Sequence, residues 1–282
     1  MTYLIIGATG NVGGALVSDL HRQGHSVRAL VRDPQRARHL PVDVDLVVGD
    51  LDDTEALTKA VQGVEGVFYM QAHPSIEQAG KYVEIAGTAG VSRTVLLSSF
   101  GTVAYPRPII GEMIAARDEV FRTSSPAVTY LKANTLMTNA LWWVPTIRAE
   151  GRVYDATDPG KTVPIDTVDV ARVAAVALTQ DGHAGRSYIL NGPDALSSRE
   201  QVDILNETLG LDIELVHLTP AQLAEKNIAS GMPERAARGL ENLHTLFATG
   251  RSSVYAEDAL WLTGRPLTTF GAWCERNAAS FR

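Results

Sequence analysis

An apolar run, Thr2-Tyr3-Leu4-Ile5-Ile6, passes directly into Gly7-Ala8-Thr9-Gly10-Asn11-Val12-Gly13-Gly14, and Ala15 to Leu20 then take up helical spacing. Strand, glycine turn and helix in that order restrict the fold more than any other stretch of the chain. Each glycine has a separate duty in such a turn. The first permits the tight reversal, the second lets backbone approach a pyrophosphate, and the third lets helix pack on strand. The helix start then offers free N–H groups and a partial positive charge to phosphate. The spacing is G-x-x-G-x-x-G rather than the commoner G-x-G-x-x-G. The alternative, an ordinary glycine-rich strand–helix turn, is the weaker reading because the stretch lies between a strand and a helix.

The rest of the first half repeats the alternation of strand and helix. Strands are expected at Val27–Val31, Val42–Val48, Gly66–Met70, Arg93–Leu97 and Val128–Leu131. Helices are expected at 54–61, capped by Asp53, at 75–89 and at 110–122, with a short one opening at Pro34. Alternation of this kind implies right-handed crossovers and a parallel sheet covered on both faces. Beyond Lys132 the pattern changes. A helix is expected over 135–148, a loop over 152–164, a helix over 166–178 and a strand over 187–190. From Ser197 onward helices dominate: 199–209, 220–229, 234–247, 256–262 and 268–279, with one strand at 213–218. The expected fold is α/β: a Rossmann doubly wound parallel sheet with helices on both faces and a small, mostly helical C-terminal lobe for the substrate. The nucleotide-binding part would span 1–150 and be rejoined by 165–190. The lobe would comprise 151–164 and 191–282.

A net charge of −7 argues against a nucleic-acid or anionic-membrane surface. The single cysteine, Cys274, allows no disulfide framework within the chain. The first residues already read as a core strand, and no apolar run is long enough to span a bilayer. The expectation is a cytoplasmic protein, monomeric or homodimeric, whose partner is a small molecule.

Which dinucleotide binds depends on the end of the second strand. An acid there holds the ribose of NAD, and a cation there receives the extra phosphate of NADP. Arg32 occupies that position, with Arg36 and Arg38 close behind. Asp33 could be a ribose acid displaced by one, or the cap of the short helix through Pro34. The balance favours NADP(H) over NAD(H). Asp50 in Gly49-Asp50-Leu51 could bond the adenine amine or cap the next helix. Met70, Gln71 and Ala72 close the fourth strand beside the ribose path. Ser98, Lys132 and Asn134, near the ends of the fifth and sixth strands, complete the expected cofactor set.

Taken together, Gly7 to Gly13, Val31-Arg32-Asp33-Pro34, Gly49-Asp50-Leu51, Val95 to Ser99, Thr129 to Lys132 with Asn139, Asp169-Val170-Ala171 and Leu262 to Pro266 resemble the NmrA-like branch of the atypical short-chain dehydrogenases/reductases. The resemblance spans nearly the whole chain. It implies an NAD(P)-binding Rossmann fold with a small C-terminal substrate lobe. Some members reduce quinones, imines or ketones, and others bind the dinucleotide as redox sensors without chemistry. The wider superfamily uses Tyr-x-x-x-Lys as proton donor and tuner. This chain has no such pair, and residues 110–122 contain neither Tyr nor Lys. Those residues offer Glu112, Arg117, Asp118 and Glu119 instead, with Arg117 and Asp118 expected on an exposed helix face. Lys132 stands where many members have Arg. It could support the nicotinamide ribose or pair with an acid.

A general acid contributes roughly a hundredfold to ten-thousandfold. Three substitutes are open. Ser98, Ser99 or Thr102 could bond the carbonyl while water relays the proton. Tyr69, His73 or Tyr105 could donate from neighbouring loops. The substrate itself could supply the proton from a phenol beside the ketone. Of these, Ser98, Ser99, Thr102 and Tyr105 form the candidate catalytic set. Met137, Leu141, Trp142, Trp143 and Met232 could wall a pocket for a flat aromatic substrate or belong to the core. The expected function is NADPH-dependent reduction of a ketone or quinone carbonyl. The alternative is an NADP(H)-binding redox sensor.

Overall fold

The computed structural model describes residues 1–124 and 127–282. Its first half comprises β1 (Thr2–Ile6), α1 (Asn11–Arg22), β2 (Ser26–Val31), β3 (Asp45–Val48), α2 (Thr54–Val61), β4 (Gly66–Tyr69) and α3 (Ile76–Thr88). Next come β5 (Arg93–Ser99), α4 (Ile109–Ser124) and β6 (Val128–Ala133). The chain continues through α5 (Val144–Glu150), β7 (Arg152–Asp155), β8 (Lys161–Thr162), α6 (Thr167–Thr179) and β9 (Ser187–Leu190). It closes with β10 (Leu196–Ser197), α7 (Ser198–Leu209), β11 (Glu214–His217), α8 (Pro220–Ala229), α9 (Glu234–Ala248), α10 (Asp258–Thr263), α11 (Phe270–Arg276) and α12 (Ala278–Phe281).

Seven strands form one parallel sheet in the order β3-β2-β1-β4-β5-β6-β9. Successive side chains of a strand leave on opposite faces, so each face has its own core. Tyr3 and Ile5 of β1 pack with Leu16 and Leu20 of α1 and with Val170 and Val173 of α6. Leu4 and Ile6 pack on the other face, with Leu57 of α2, Tyr82 of α3 and Phe121 of α4. Both faces are therefore covered, which is the doubly wound α/β arrangement. A separate apolar cluster joins Val202 and Leu205 of α7 to Phe270 and Trp273 of α11 and to Val153 of β7.

Local signals set most helix starts. Asp53, Ser75 and Asp166 accept hydrogen bonds from Ala56, Gln78 and Val168 backbone N–H groups at the heads of α2, α3 and α6. Three expectations need correction. The stretch 152–164 is not a loop: β7 pairs in parallel with β11, and β8 pairs antiparallel with β10. The stretch 135–148 is not one helix but a 3-10 segment, Met137–Trp143, followed by α5. Pro145 lacks an N–H and fits only the first turn of a helix, so a new helix begins there. The last helix divides at Asn277 into α11 and α12.

Candidate active site

All seven strands of the sheet point the same way, so their carboxyl ends lie along one edge. The strand order reverses between β1 and β4, and that switch point is where open α/β sheets bind ligands. The glycine turn emerges there. Gly7 has φ +84, a left-handed conformation that favours glycine. A Cβ on Gly13 would lie 2.1 Å from the Gly7 carbonyl oxygen, so α1 can approach β1 only with glycine at this position. Gly10 precedes α1 and supplies no side-chain cap, and the first turn holds no acid. The neighbouring α2 and α3 are both capped and both carry Glu in the first turn. The one helix start at the switch point is thus left open, as an incoming phosphate requires. Thr9, Asn11 and Val12 border this opening. The cradle fits a dinucleotide pyrophosphate.

Arg32 and Arg36 follow β2, exposed, with no carboxylate partner among the described residues. Asp33 is committed locally: its Oδ1 accepts the Gln35 N–H at 2.9 Å and caps the 3-10 turn Pro34–Ala37. Asp50 also serves its own turn, accepting the N–H groups of Asp52 and Asp53 at 2.9 and 3.1 Å. Leu51 is buried behind it. Met70 packs against Gly7, Gln71 bonds the Ser75 carbonyl and Gln78, and Ala72 is exposed beyond β4.

Arg117 and Asp118 correct the expectation of an exposed helix face, since both are buried. Arg117 donates to Asp118 Oδ1 at 2.6 Å and to the Leu97 carbonyl at 3.1 Å. Ser98 donates to Asp118 Oδ2 at 2.5 Å. Buried charges persist when paired and hydrogen-bonded, and this trio ties α4 to β5. Lys132 shares register with Ser98 and leaves the sheet on the same side. Burial lowers its ammonium pKa, Asp118 works against that, and Arg107 adds to it. On that same face the Tyr69 and Tyr130 hydroxyls are buried without partners among the described residues. Burial pushes both pKa values up, that of Tyr130 to about 12.

The next register pair, Ser99 with Ala133, faces the other way. There it borders a cavity of about 300 Å³. Ser99 Oγ also accepts the Gly101 N–H at 3.1 Å. Asn134 lines the cavity and is held in place, donating to Asn191 Oδ1 at 3.1 Å and the Ser252 carbonyl at 2.9 Å. Trp142 and Trp143 form part of the wall, whereas Met137 and Leu141 belong to the neighbouring core and Met232 lies outside the lining. Of the candidate catalytic set, Ser99 alone lines the cavity. Ser98 is engaged by Asp118. Thr102 is buried and donates to the Ser99 carbonyl at 2.9 Å. Tyr105 is 84% exposed, and His73 is also on the surface.

The opposite side of the cavity was not anticipated. Asp155, Thr157 and Ser198 form a buried polar cluster in its wall. Asp155 accepts the Thr157 N–H at 2.8 Å, the Asp158 N–H at 2.7 Å, and the Thr157 and Ser198 hydroxyls at 2.8 and 2.7 Å. Leu240, Leu243, His244 and Phe247 of α9 close the cavity over it. Burial lowers the His244 pKa and the Asp155 charge partly restores it. The only sequence signal was a histidine within the apolar stripe of an amphipathic helix. Among the described residues no group of three or more His, Cys, Asp or Glu could hold a metal ion, and no helix is long and apolar enough to cross a membrane.

A doubly wound sheet, an open glycine-turned helix start and a cavity at the strand ends define a Rossmann-type dinucleotide-binding architecture. Residues 1–259 match the NmrA-like family, and the chain belongs to it. It is 30% identical over 281 residues to an NAD(P)H azoreductase of Xenophilus azovorans, spanning 99% of this chain and 98% of that protein. It is 32% identical over 282 residues to a (4-alkanoyl-5-oxo-2,5-dihydrofuran-3-yl)methyl phosphate reductase of Streptomyces griseus subsp. griseus, again spanning 99% and 98%. Its fold matches that of an Escherichia coli NADPH-dependent quinone oxidoreductase complexed with NADPH, with a TM-score of 0.86 at 23% identity over 99% of this chain and 100% of that one.

Proposed function

We propose that this chain reduces a quinone or aromatic ketone with NADPH. Its class is that of an NAD(P)H-dependent oxidoreductase, in line with the NAD(P)H azoreductase and the phosphate reductase it resembles over nearly its whole length. The finer reading rests above all on one observation: the cavity begins at Ser99, at the carboxyl edge of the sheet, where open α/β sheets bind ligands, and is walled by Phe100, Trp142, Trp143 and Phe247. Aromatic walls suit a flat conjugated molecule. Bound NADPH supplies the hydride. The amides from Gly7 to Gly13 hold the pyrophosphate, and Arg32 with Arg36 holds the 2′-phosphate through charge-assisted hydrogen bonds. Asp50 and Leu51, at the end of β3, would border the adenine. Met70, Gln71, Ala72 and Asn134 would border the ribose path toward the cavity, whereas Lys132 leaves the sheet on the face opposite Ser99.

The missing Tyr-x-x-x-Lys favours a quinone over a simple ketone, because the ring already stabilises a reduced quinone oxyanion. Ser99 is the strand-end hydroxyl available to the carbonyl. The test is NADPH oxidation with a panel of quinones and aromatic ketones. Turnover is expected, faster with NADPH than with NADH. Tight NADPH binding without turnover on any member of the panel would overturn the reductase reading and favour a binding-only regulator.

A further inference from the structure

Carbonyl reduction consumes a proton as well as a hydride, and the helix after β5 has no tyrosine or lysine to give one. The cavity holds another donor. Leu240, Leu243, His244 and Phe247 fall at i, i+3, i+4 and i+7 on α9, and all four line the cavity. Three of them are apolar, which makes the histidine the exception. Its ring is partly buried, and neither nitrogen hydrogen-bonds another described residue. Buried polar groups mostly find a hydrogen-bond partner; the His244 ring has none among the described residues and stands in the cavity wall.

Asp155 completes the arrangement. Its carboxylate is 5% exposed and is held by four neutral donors, two backbone amides and two hydroxyls. No cation pairs with it among the described residues. Its charge is the one that reaches the His244 ring and favours the imidazolium there. Among the charges on the elements packed against α9, Lys226 of α8 lies over the Tyr154 ring at 3.7 Å. Lys161 of β8 pairs with Glu200, and Arg238 of α9 itself pairs with Glu225 of α8, Glu234 and Glu241. Arg117 and Asp118 of α4 pair with each other, and Glu112 is on the surface.

We infer that His244 is the proton donor of this active site and that Asp155 steadies its protonated ring. The inference rests on the reductase reading above. A ketone accepts the hydride at carbon, and its C=O π pair moves to oxygen. That pair takes the ring proton of His244: an O–H bond forms, an N–H bond breaks, and neutral imidazole remains for water to reprotonate. In a quinone the hydride and the His244 proton together give the two hydroxyls of the hydroquinone. Because burial holds the His244 pKa below the ordinary histidine value, the ring is a willing donor once protonated, and the rate rises as pH falls through that pKa.

The experiment compares the parent with His244→Gln. The variant is expected to bind NADPH as the parent does, by fluorescence titration, and to lose quinone turnover by roughly a hundredfold to ten-thousandfold. The parent's kcat/KM should fall as pH rises through the His244 pKa, and the variant's should lose that dependence. Normal turnover by the variant with an unchanged pH profile overturns the assignment of His244 alone. No turnover by the parent on any quinone or ketone overturns the reductase reading, and this assignment with it. A second measurement uses the parent only and so does not depend on the variant folding. In an NMR titration, the His244 ring signals should shift and its pKa should change when 1,4-naphthohydroquinone, a product analogue, saturates the site. Ring signals unmoved by a saturating product analogue overturn the assignment as well.

Discussion

The two ends of this site are made of different material. The end at β1 and α1 is built from backbone: three glycines and an open helix start leave space fitted to a pyrophosphate. The end under α9 is built from side chains contributed by β5, β6, the 3-10 segment Met137–Trp143, the β7–β8 stretch, α7 and α9. Adding an atom ruins the first, because backbone cannot yield. The second responds to exchange of its residues, because each wall residue can change without moving its neighbours far. A family can therefore keep one cofactor and vary its substrates.

The largest expected break in this contrast is at Gly13. Gly13→Val would push a branched side chain into the Gly7 carbonyl, and NADPH affinity should fall by at least about a hundredfold, following an overpacking cost near 3 kcal/mol. Fluorescence titration checks it, and parental affinity would mean that α1 can back away from β1. Ser98 and Ser99 sharpen the contrast from within one strand. Ser98→Ala strips a hydrogen bond from buried Asp118 and should destabilise the fold by about 1–3 kcal/mol in urea melts. Ser99→Ala should cost less stability but alter turnover, and the reverse ranking would show that their roles are exchanged.

Arg32 tests the proposed preference for NADPH. Arg32→Ala should weaken NADPH about tenfold more than NADH, near 1.4 kcal/mol, and equal losses would exclude contact with the 2′-phosphate. Trp142 should show the smallest effect. It is 67% exposed, so Trp142→Ala should leave stability within about 0.5 kcal/mol while raising KM for a flat quinone. An unchanged KM would remove Trp142 from the substrate wall.

The backbone end was legible in the sequence because its signals are local. Gly7, Gly10 and Gly13 carry their spacing with them, and Asp53 and Ser75 announce the helices they cap. Asp33 was readable as a cap for the same reason, since its acceptor role ends two residues away. The side-chain end was hidden because its residues acquire meaning only in company. Val153 reads as loop until β11 pairs with β7. Arg117 and Asp118 read as surface charges until Ser98 and the Leu97 carbonyl receive them. His244 reads as one histidine in an apolar stripe until Asp155 and Ser198 arrive from other segments. No periodicity within α9 could have supplied those neighbours.

Whether the two ends work as one reductase site is decided by a stopped-flow single turnover, in which the chain is loaded with one equivalent of NADPH and mixed with 1,4-naphthoquinone. Loss of the reduced nicotinamide absorbance with one equivalent of hydroquinone formed is the expected result. NADPH that stays bound and reduced in the presence of saturating quinone would contradict it.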